Sequence, residues 1–402
     1  MATGSNNRNA SSVHKTSVQG SSAVSRGAVD AAEERERAAS ARKGALFLGV
    51  VVIIYILYLV FSGQMDDFVD ALGGVRTDWV LGAAFCFLMY FFFGVLAYVI
   101  AVYIDHDSPV GVRDLISVEA SGIFFGNLTP MMMGAVPSQI VRLTRTGLDV
   151  GEASATQFTR FIMFQLGVVV FAALMLIAKL SFFFESYGDI VLLNLLVFGA
   201  HTLECIMLFV VCLCPNLVMR VGNWLLRVIR KHHWLKDTSK LDQLVNEQVM
   251  EFSNAFKSAA SDLTSMFATF LVTMAQLFCL YTIPWFVLNA FGKSGDFIEC
   301  LAAGSMVQLV SSSVPLPGGT GGAEGAFVMF YGHMFGPATS AGFLVWRIVT
   351  FFAPTILAAP LLGLTTRDRS VSIYERVQRR RNGGYKGHSS GVSINPNKYI
   401  KK

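Results

Sequence analysis

Two long apolar stretches of this chain are broken where no continuous helix can pass. Residues 114–135 end in Gly126-Asn127-Leu128-Thr129-Pro130-Met131-Met132-Met133-Gly134, and residues 297–336 are interrupted by Pro315-Leu316-Pro317-Gly318-Gly319-Thr320-Gly321-Gly322. Proline removes a backbone donor and crowds the preceding turn. Glycine loosens what remains. The Pro-Gly tract has apolar sequence on both sides, so a plain surface loop fits it poorly. In lipid, irregular backbone is tolerated only where protein or a water-filled cavity shields it. The expected structure at both places is a re-entrant helical hairpin, with the two tips meeting inside the protein.

The rest of the chain supports a membrane setting. Of 402 residues, 53% are hydrophobic and only 15% charged, with a mean hydropathy of +0.53; an ordinary soluble domain is about 25% charged. Residues 44–62, 79–104, 155–180, 189–214, 263–291 and 340–364 each approach or exceed the ~20 residues that a ~30 Å hydrocarbon core demands. Trp79 opens the second of these, with Tyr98 and Tyr103 towards its far end, as an interfacial belt places them. The expected fold is therefore all-α, a polytopic helical membrane protein with six full spans and two re-entrant hairpins. Residues 1–43, rich in Ser, Asn and charge, read as a disordered tail. The cysteines lie in apolar stretches and read as small buried hydrophobes.

Charge sets the expected orientation. The net charge is +5, but 27 of the 32 basic residues fall in segments 1–43, 105–113, 136–154, 215–262 and 365–402. Six spans and two hairpins put all of these, and both termini, on one side. The positive-inside rule makes that side the cytoplasm and the location the cell membrane. Residues 215–262, with Trp224, Arg227, Arg230, Lys231, His232, His233 and Trp234, read as an amphipathic helix on the inner leaflet. Residues 366–402 form a basic cytoplasmic tail.

The membrane domain, 44–365, contains a repeat. Pro130 and Pro317, Gly134 and Gly321, and Arg160 and Arg347 are each 187 positions apart. Repeat one covers 79–180 and repeat two 263–364. Under the charge-derived orientation they run in opposite directions, which makes them inverted-topology repeats. Such repeats typify transporters whose broken helices meet near the midplane.

Candidate functional residues follow from what is costly in lipid. Arg160 and Arg347 lie within spans, where an arginine faces the interior or snorkels to the interface. Their planar five-donor forks suit a headgroup phosphate; pairing with internal carboxylates is the alternative. Glu324 opens the half-helix after the Pro-Gly tract. It complements the helix dipole, or pairs with Arg347, or forms a proton or cation site. Glu119 lies in the first hairpin, as a possible partner of Arg160. His201 and Glu204 share a face of the fourth span, as a hydrogen-bonded pair or a proton relay. Asn127, Thr129, Pro130, Gly134, Pro315, Pro317, Gly318, Gly319 and Gly321 form the hairpin tips, candidates for gating and for baring backbone groups to an anionic headgroup. Arg142 and Arg145 anchor to the membrane surface or gather anionic headgroups. No metal site, Walker sequence, dinucleotide fingerprint or nucleophile elbow is present in the sequence, and no cofactor or nucleic-acid partner is expected.

The block Pro315-Leu-Pro-Gly-Gly-Thr-Gly-Gly-Ala-Glu324, followed by Arg347 in an apolar span, resembles the signature of the lysylphosphatidylglycerol synthetase transmembrane region. Gly126-Asn127-Leu128-Thr129-Pro130 with Gly134, Pro137 and Arg142 resembles its other half, although Met131, Met132, Met133 and Ala135 stand where glycines are expected. The resemblance spans roughly residues 44–365 and implies flippase-like movement of a polar lipid between leaflets, aminoacyl-phosphatidylglycerol among the candidates. In multiple peptide resistance factor proteins this region is fused to a cytoplasmic aminoacyl-transfer domain. Only 38 residues follow the last span here, so the expectation is a transporter, not an enzyme, working with anionic membrane lipids, a separate lipid-synthesising enzyme and possible homo-oligomeric partners. The alternatives are an ion- or proton-coupled transporter of a small solute, or an accessory membrane subunit of envelope glycolipid synthesis.

Overall fold

The computed structural model describes residues 73–103, 110–188, 190–214 and 263–366, apart from 315, 317 and 320, together with 216, 220 and 257. The first span at 44–62, the loop read at 215–262, both terminal tails, Pro315 and Pro317 lie outside the described residues.

The described chain is all-helical. Helix α1 is Thr77–Tyr103, α2 Val112–Leu128, α3 Ala135–Arg145, α4 Val150–Ala178, α5 Leu180–Tyr187 and α6 Ile190–Leu213. Then come α7 Leu263–Ala290, α8 Phe297–Ser313, α9 Gly322–Phe335, α10 Thr339–Arg347 and α11 Ala353–Leu361. A 3₁₀ turn, Gly336–Ala338, precedes α10, and a π turn, Ile348–Phe352, joins α10 to α11. The order long, short, short, long thus occurs twice, as α1–α4 and as α7 to α10–α11. Gly134 caps the start of α3 and Gly321 the start of α9.

Among the described residues, four helical runs are long and apolar enough to cross a membrane: Thr77–Val102, Val150–Ala178, Leu263–Ala290 and Gly322–Leu361. The last of these is not one rod. Gly336 turns left-handed at φ 58°, and the Phe327 ring stacks on Trp346 at 5.3 Å. Residues 19 apart in one straight helix would be about 28 Å apart. The chain therefore reverses at Gly336, and α9 folds back against α8 as the second arm of a hairpin. Tyr331 closes this hairpin by donating its hydroxyl to the Cys300 carbonyl at 2.6 Å.

The first hairpin is longer than hydropathy predicts. Apolar sequence stops at 135, but α3 continues to Arg145 and packs on α2. Helix α3 is buried at the polar Gln139 as well as at the apolar Leu143. Glycine on α2 makes the room: a Cβ at Gly122 would lie 2.1 Å from the Gln139 amide.

Helices α1 and α7 lie antiparallel along each other. The Arg76 amide at one end donates to the Ala290 carbonyl at 2.9 Å. Gly82 leaves space for the Phe286 ring, which a Cβ would approach to 2.6 Å. Trp79 and Trp285 meet edge to face at 5.5 Å beside Phe286 and Phe297, an aromatic cluster at this end of the helix pair. The opposite face of α1 carries Leu81, Phe85, Leu88 and Phe92, each more than half exposed; this is an apolar stripe suited to acyl chains.

Buried polar bonds tie the first hairpin to the last helix. The Asp114 carboxylate, 2% exposed, accepts from the Gly111 amide at 3.0 Å and from the Thr366 amide at 3.0 Å. Ser117 Oγ donates to the Leu362 carbonyl at 3.1 Å.

An ionic clasp joins α4 to α8. Lys179 Nζ lies 3.0 Å from Asp296 Oδ1 and 3.2 Å from Glu299 Oε1. Accepting from the Glu299 amide, and pairing with Lys179, hold the Asp296 carboxyl below its ordinary 3.8; Asp296 in turn raises Lys179 above 10.5. The carboxylate's contribution is present above the unfolded value and lost as pH falls through the lower folded one. The lysine's is present below its unfolded value and lost as pH rises through the higher folded one. Lys179→Met should therefore lower the melting temperature between about pH 5 and pH 9 and have a fading effect below about pH 3. A penalty that persists undiminished in acid would show that the clasp is not electrostatic.

Candidate functional site

Arg160 is buried in the middle of the protein at 6% exposure. Helix α4 is apolar on nearly every side, so the position of its few polar residues is decided by what they meet. Arg160 Nη2 donates to Gln276 Oε1, and Nη1 reaches Thr273 Oγ1 at 3.4 Å. Gln276 Nε2 in turn donates to Glu119 Oε1 at 3.4 Å. The guanidinium lies over the Phe164 and Tyr98 rings at 5.5 and 5.9 Å. The expected Glu119 partnership thus exists through an intermediary, Gln276, and not as a direct ion pair. Arg160 Nε has no hydrogen-bond partner among the described residues.

A second chain of bonds runs beside the first. Tyr98 donates its hydroxyl to Gln157 Oε1, and Gln157 Nε2 donates to Gln139 Oε1 at 2.6 Å. Glu119 is seated against Gly94 of α1, where a Cβ would fall 2.1 Å from its Oε1. A side chain at Gly94 is therefore incompatible with this network.

Arg347, 9% exposed, is likewise buried. Its Nη2 donates to the Gly318 carbonyl at 2.9 Å, and its charge lies 4.7 Å from the Phe351 ring centre. The arginine therefore holds the tip of the second hairpin. Glu324 sits in the first turn of α9, half-buried, and lies beyond ion-pair distance of Arg347: no described carboxylate comes within 4.0 Å of either intramembrane arginine.

Two cavities open between these groups. One, of about 420 Å³, is lined by Arg160, Glu119, Gln157, Gln276, His201 and Glu204 among others. The other, of about 150 Å³, is lined by Arg347, Asn127, Gly318 and Gly319 among others. They share Tyr90, Ile123, Met131, Met132, Phe164, Gln308 and Ser312. The two hairpin tips and the two arginines thus border one divided hollow. The Tyr281 hydroxyl, at the smaller end, is buried without a partner.

The chain matches the family model described as lysylphosphatidylglycerol synthase TM region over residues 46–358. The protein belongs to this family. A UPF0104 membrane protein of Methanothermobacter thermautotrophicus is 22% identical over 342 residues, covering 81% of this chain and 98% of that protein. A UPF0104 membrane protein of Archaeoglobus fulgidus is 23% identical over 244 residues, covering 59% of this chain and 71% of that one.

Within this lysylphosphatidylglycerol synthase TM region, several predicted tip residues have structural duties. Thr129 Oγ1 donates to the Phe125 carbonyl at 2.7 Å and accepts from the Gly134 amide at 2.8 Å, closing the first tip. Asn127 Nδ2 donates to Thr355 Oγ1 at 2.7 Å, joining that tip to α11. Pro130 is exposed and its carbonyl accepts from the Met133 amide at 3.0 Å. Gly318, Gly319 and Gly321 all have positive φ, at 62°, 64° and 81°. Arg142 donates to the Leu362 carbonyl at the end of α11, where a cation complements the helix dipole. His201 Nε2 lies 3.0 Å from Ser312 Oγ and Nδ1 3.1 Å from the Val197 carbonyl oxygen, so its ring meets these two and not Glu204.

The glutamines were missed in the sequence, although a signal exists. Gln157, Gln165, Gln276 and Gln308 are uncharged polar residues inside apolar helices, and in lipid such residues hydrogen-bond across helices or line cavities.

The first tip also carries backbone strain. Met131 and Met132 have φ of 50° and 56°, a left-handed conformation that costs a non-glycine residue about 1–2 kcal/mol. These are positions where the family resemblance leads one to expect glycine. Replacing either by glycine should raise stability by about 0.5 kcal/mol after the greater freedom of the unfolded chain is counted. Thermal unfolding in detergent tests this; a fall in melting temperature would mean that the methionine side chains contribute more than their backbones lose.

Proposed function

We propose that this protein moves a phosphate-bearing lipid between leaflets of the cell membrane, acting as a transporter and not as a lipid synthase. The observation that carries the reading is the divided hollow with, at each end, one buried arginine that no described carboxylate contacts directly. A guanidinium without an anionic partner in a low-dielectric setting is a strong site for phosphate. Two such sites, each beside a broken helix, fit a headgroup handed from one end to the other. The doubled order of long and short helices, with glycine caps at matching places, supports two repeats. The charge bias of the sequence supports opposite orientations for them and cytoplasmic termini. The hollow is then exposed alternately to each side.

The test is reconstitution in liposomes with headgroup-labelled phosphatidylglycerol, following the label between leaflets. The protein should speed the exchange above that of empty liposomes. If no lipid crosses faster and a soluble solute accumulates instead, the reading is wrong.

A further inference from the structure

The larger cavity offers more than a phosphate needs. Five glutamines, Gln139, Gln157, Gln165, Gln276 and Gln308, line it from four different helices. Three of them are fixed by bonds to one another, to Tyr98, to Arg160 or to Glu119. Gln165 and Gln308 make no side-chain hydrogen bond among the described residues and border the cavity with both amide groups available. Arg160 Nε is buried there and equally unpaired. The Tyr90 and Phe164 rings line the same space.

The chemistry of the lining selects among headgroups. An amide presents two donors and an acceptor, and a hydroxyl both donates and accepts, so glutamines match a polyol on every edge. An ammonium group only donates and calls for carboxylates. Of the two carboxylates that line the cavity, Glu204 is exposed, and Glu119 already accepts from Gln276, which also binds Arg160, so a cationic headgroup at Glu119 would meet the guanidinium. The volume of about 420 Å³ falls within the ~300–1,000 Å³ of ligand sites, which combine aromatic walls with a few placed polar groups.

We infer that this cavity holds a polyhydroxylated ring, a glycosyl or cyclitol headgroup, joined to its lipid through a phosphate. The inference rests on the lipid reading above and narrows it. Arg160 takes a phosphate oxygen through Nε, Gln165 and Gln308 take ring hydroxyls, and the aromatic walls take the apolar face of the ring.

The experiment measures binding by the full-length protein in phosphatidylcholine nanodiscs. The probes are phosphatidylinositol, phosphatidylglycerol, lysylphosphatidylglycerol and free inositol 1-phosphate. Phosphatidylinositol should bind about tenfold tighter than the other two lipids, the effect of one or two added net hydrogen bonds. The double variant Gln165→Leu/Gln308→Leu should erase that preference. Its helices lose no bond among the described residues, because neither amide makes one there. Equal affinity for phosphatidylinositol and phosphatidylglycerol, or tightest binding of lysylphosphatidylglycerol, overturns the headgroup assignment and leaves the lipid reading in place. Inositol 1-phosphate binding as tightly as phosphatidylinositol upholds the headgroup chemistry and overturns the lipid reading. Failure of folded protein to bind any of the four overturns both.

Discussion

Arg160→Ala is expected to slow lipid translocation by about 10- to 100-fold, the loss that follows from removing a charge-assisted hydrogen bond to a bound phosphate. The fold should survive, because Gln276 keeps its bond to Glu119 and Thr273 keeps its bond to the Thr269 carbonyl at 2.8 Å. Arg160→Lys should recover little of the rate. A lysine restores the charge, but its ammonium cannot hold Gln276, Thr273 and a ligand in one plane as the guanidinium fork does. The measurement is the initial rate of headgroup-labelled lipid exchange in liposomes holding equal amounts of folded protein. An alanine variant that transports at the wild-type rate would remove Arg160 from the mechanism, and with it the main support for a phosphate-bearing substrate.

The second large effect is expected at the other arginine's anchor. Gly318 adopts φ 62°, and a Cβ built on it would lie 2.2 Å from Phe351 Cε2. Phe351 is 2% exposed and lies under the Arg347 charge, so it has little room to yield. Gly318→Ala combines left-handed strain of about 1–2 kcal/mol with overpacking of about 1–3 kcal/mol. A loss of about 3 kcal/mol is expected, together with displacement of the carbonyl that accepts from Arg347. Gly321→Ala is the control. Its φ is also positive, at 81°, but the nearest atom to an added Cβ is Leu316 Cδ1 at 3.9 Å, so only the strain applies. Thermal unfolding of both variants in detergent separates the two terms. Equal losses would show that contact with Phe351 does not hold the tip.

The parts of this architecture that could be read in advance are those that break a rule of the bilayer. Pro130, Pro317 and the glycines beside them interrupt apolar runs, and interrupted backbone in lipid must be sheltered; the hairpins follow from that requirement. Arg160 and Arg347 stand out in the sequence as charges inside apolar runs, and both side chains are buried. What could not be read is which way each helix faces. α4 and α7 are apolar on nearly all sides, and such helices have no stripe to fix their rotation. Gln276 therefore came between Arg160 and Glu119 unannounced. Arg142 was equally opaque, since its acceptor on Leu362 lies 220 residues away. The extent of α3 was hidden for a different reason. Its buried Gln139 depends on the absence of a side chain at Gly122, and hydropathy counts what is present.

The seam between the first hairpin and the last helix has a consequence for synthesis. Asp114 waits for an amide at Thr366, 252 residues later in the chain, and Ser117 for a carbonyl 245 residues later. At about 5–20 residues per second, a ribosome takes roughly 13–50 s to supply them. For that interval the first half holds a carboxylate that has the Gly111 amide but still lacks the second of its two amide partners. The nascent chain is then most exposed to quality control, and slowed translation of the second half should lower its yield more than slowed translation of the first.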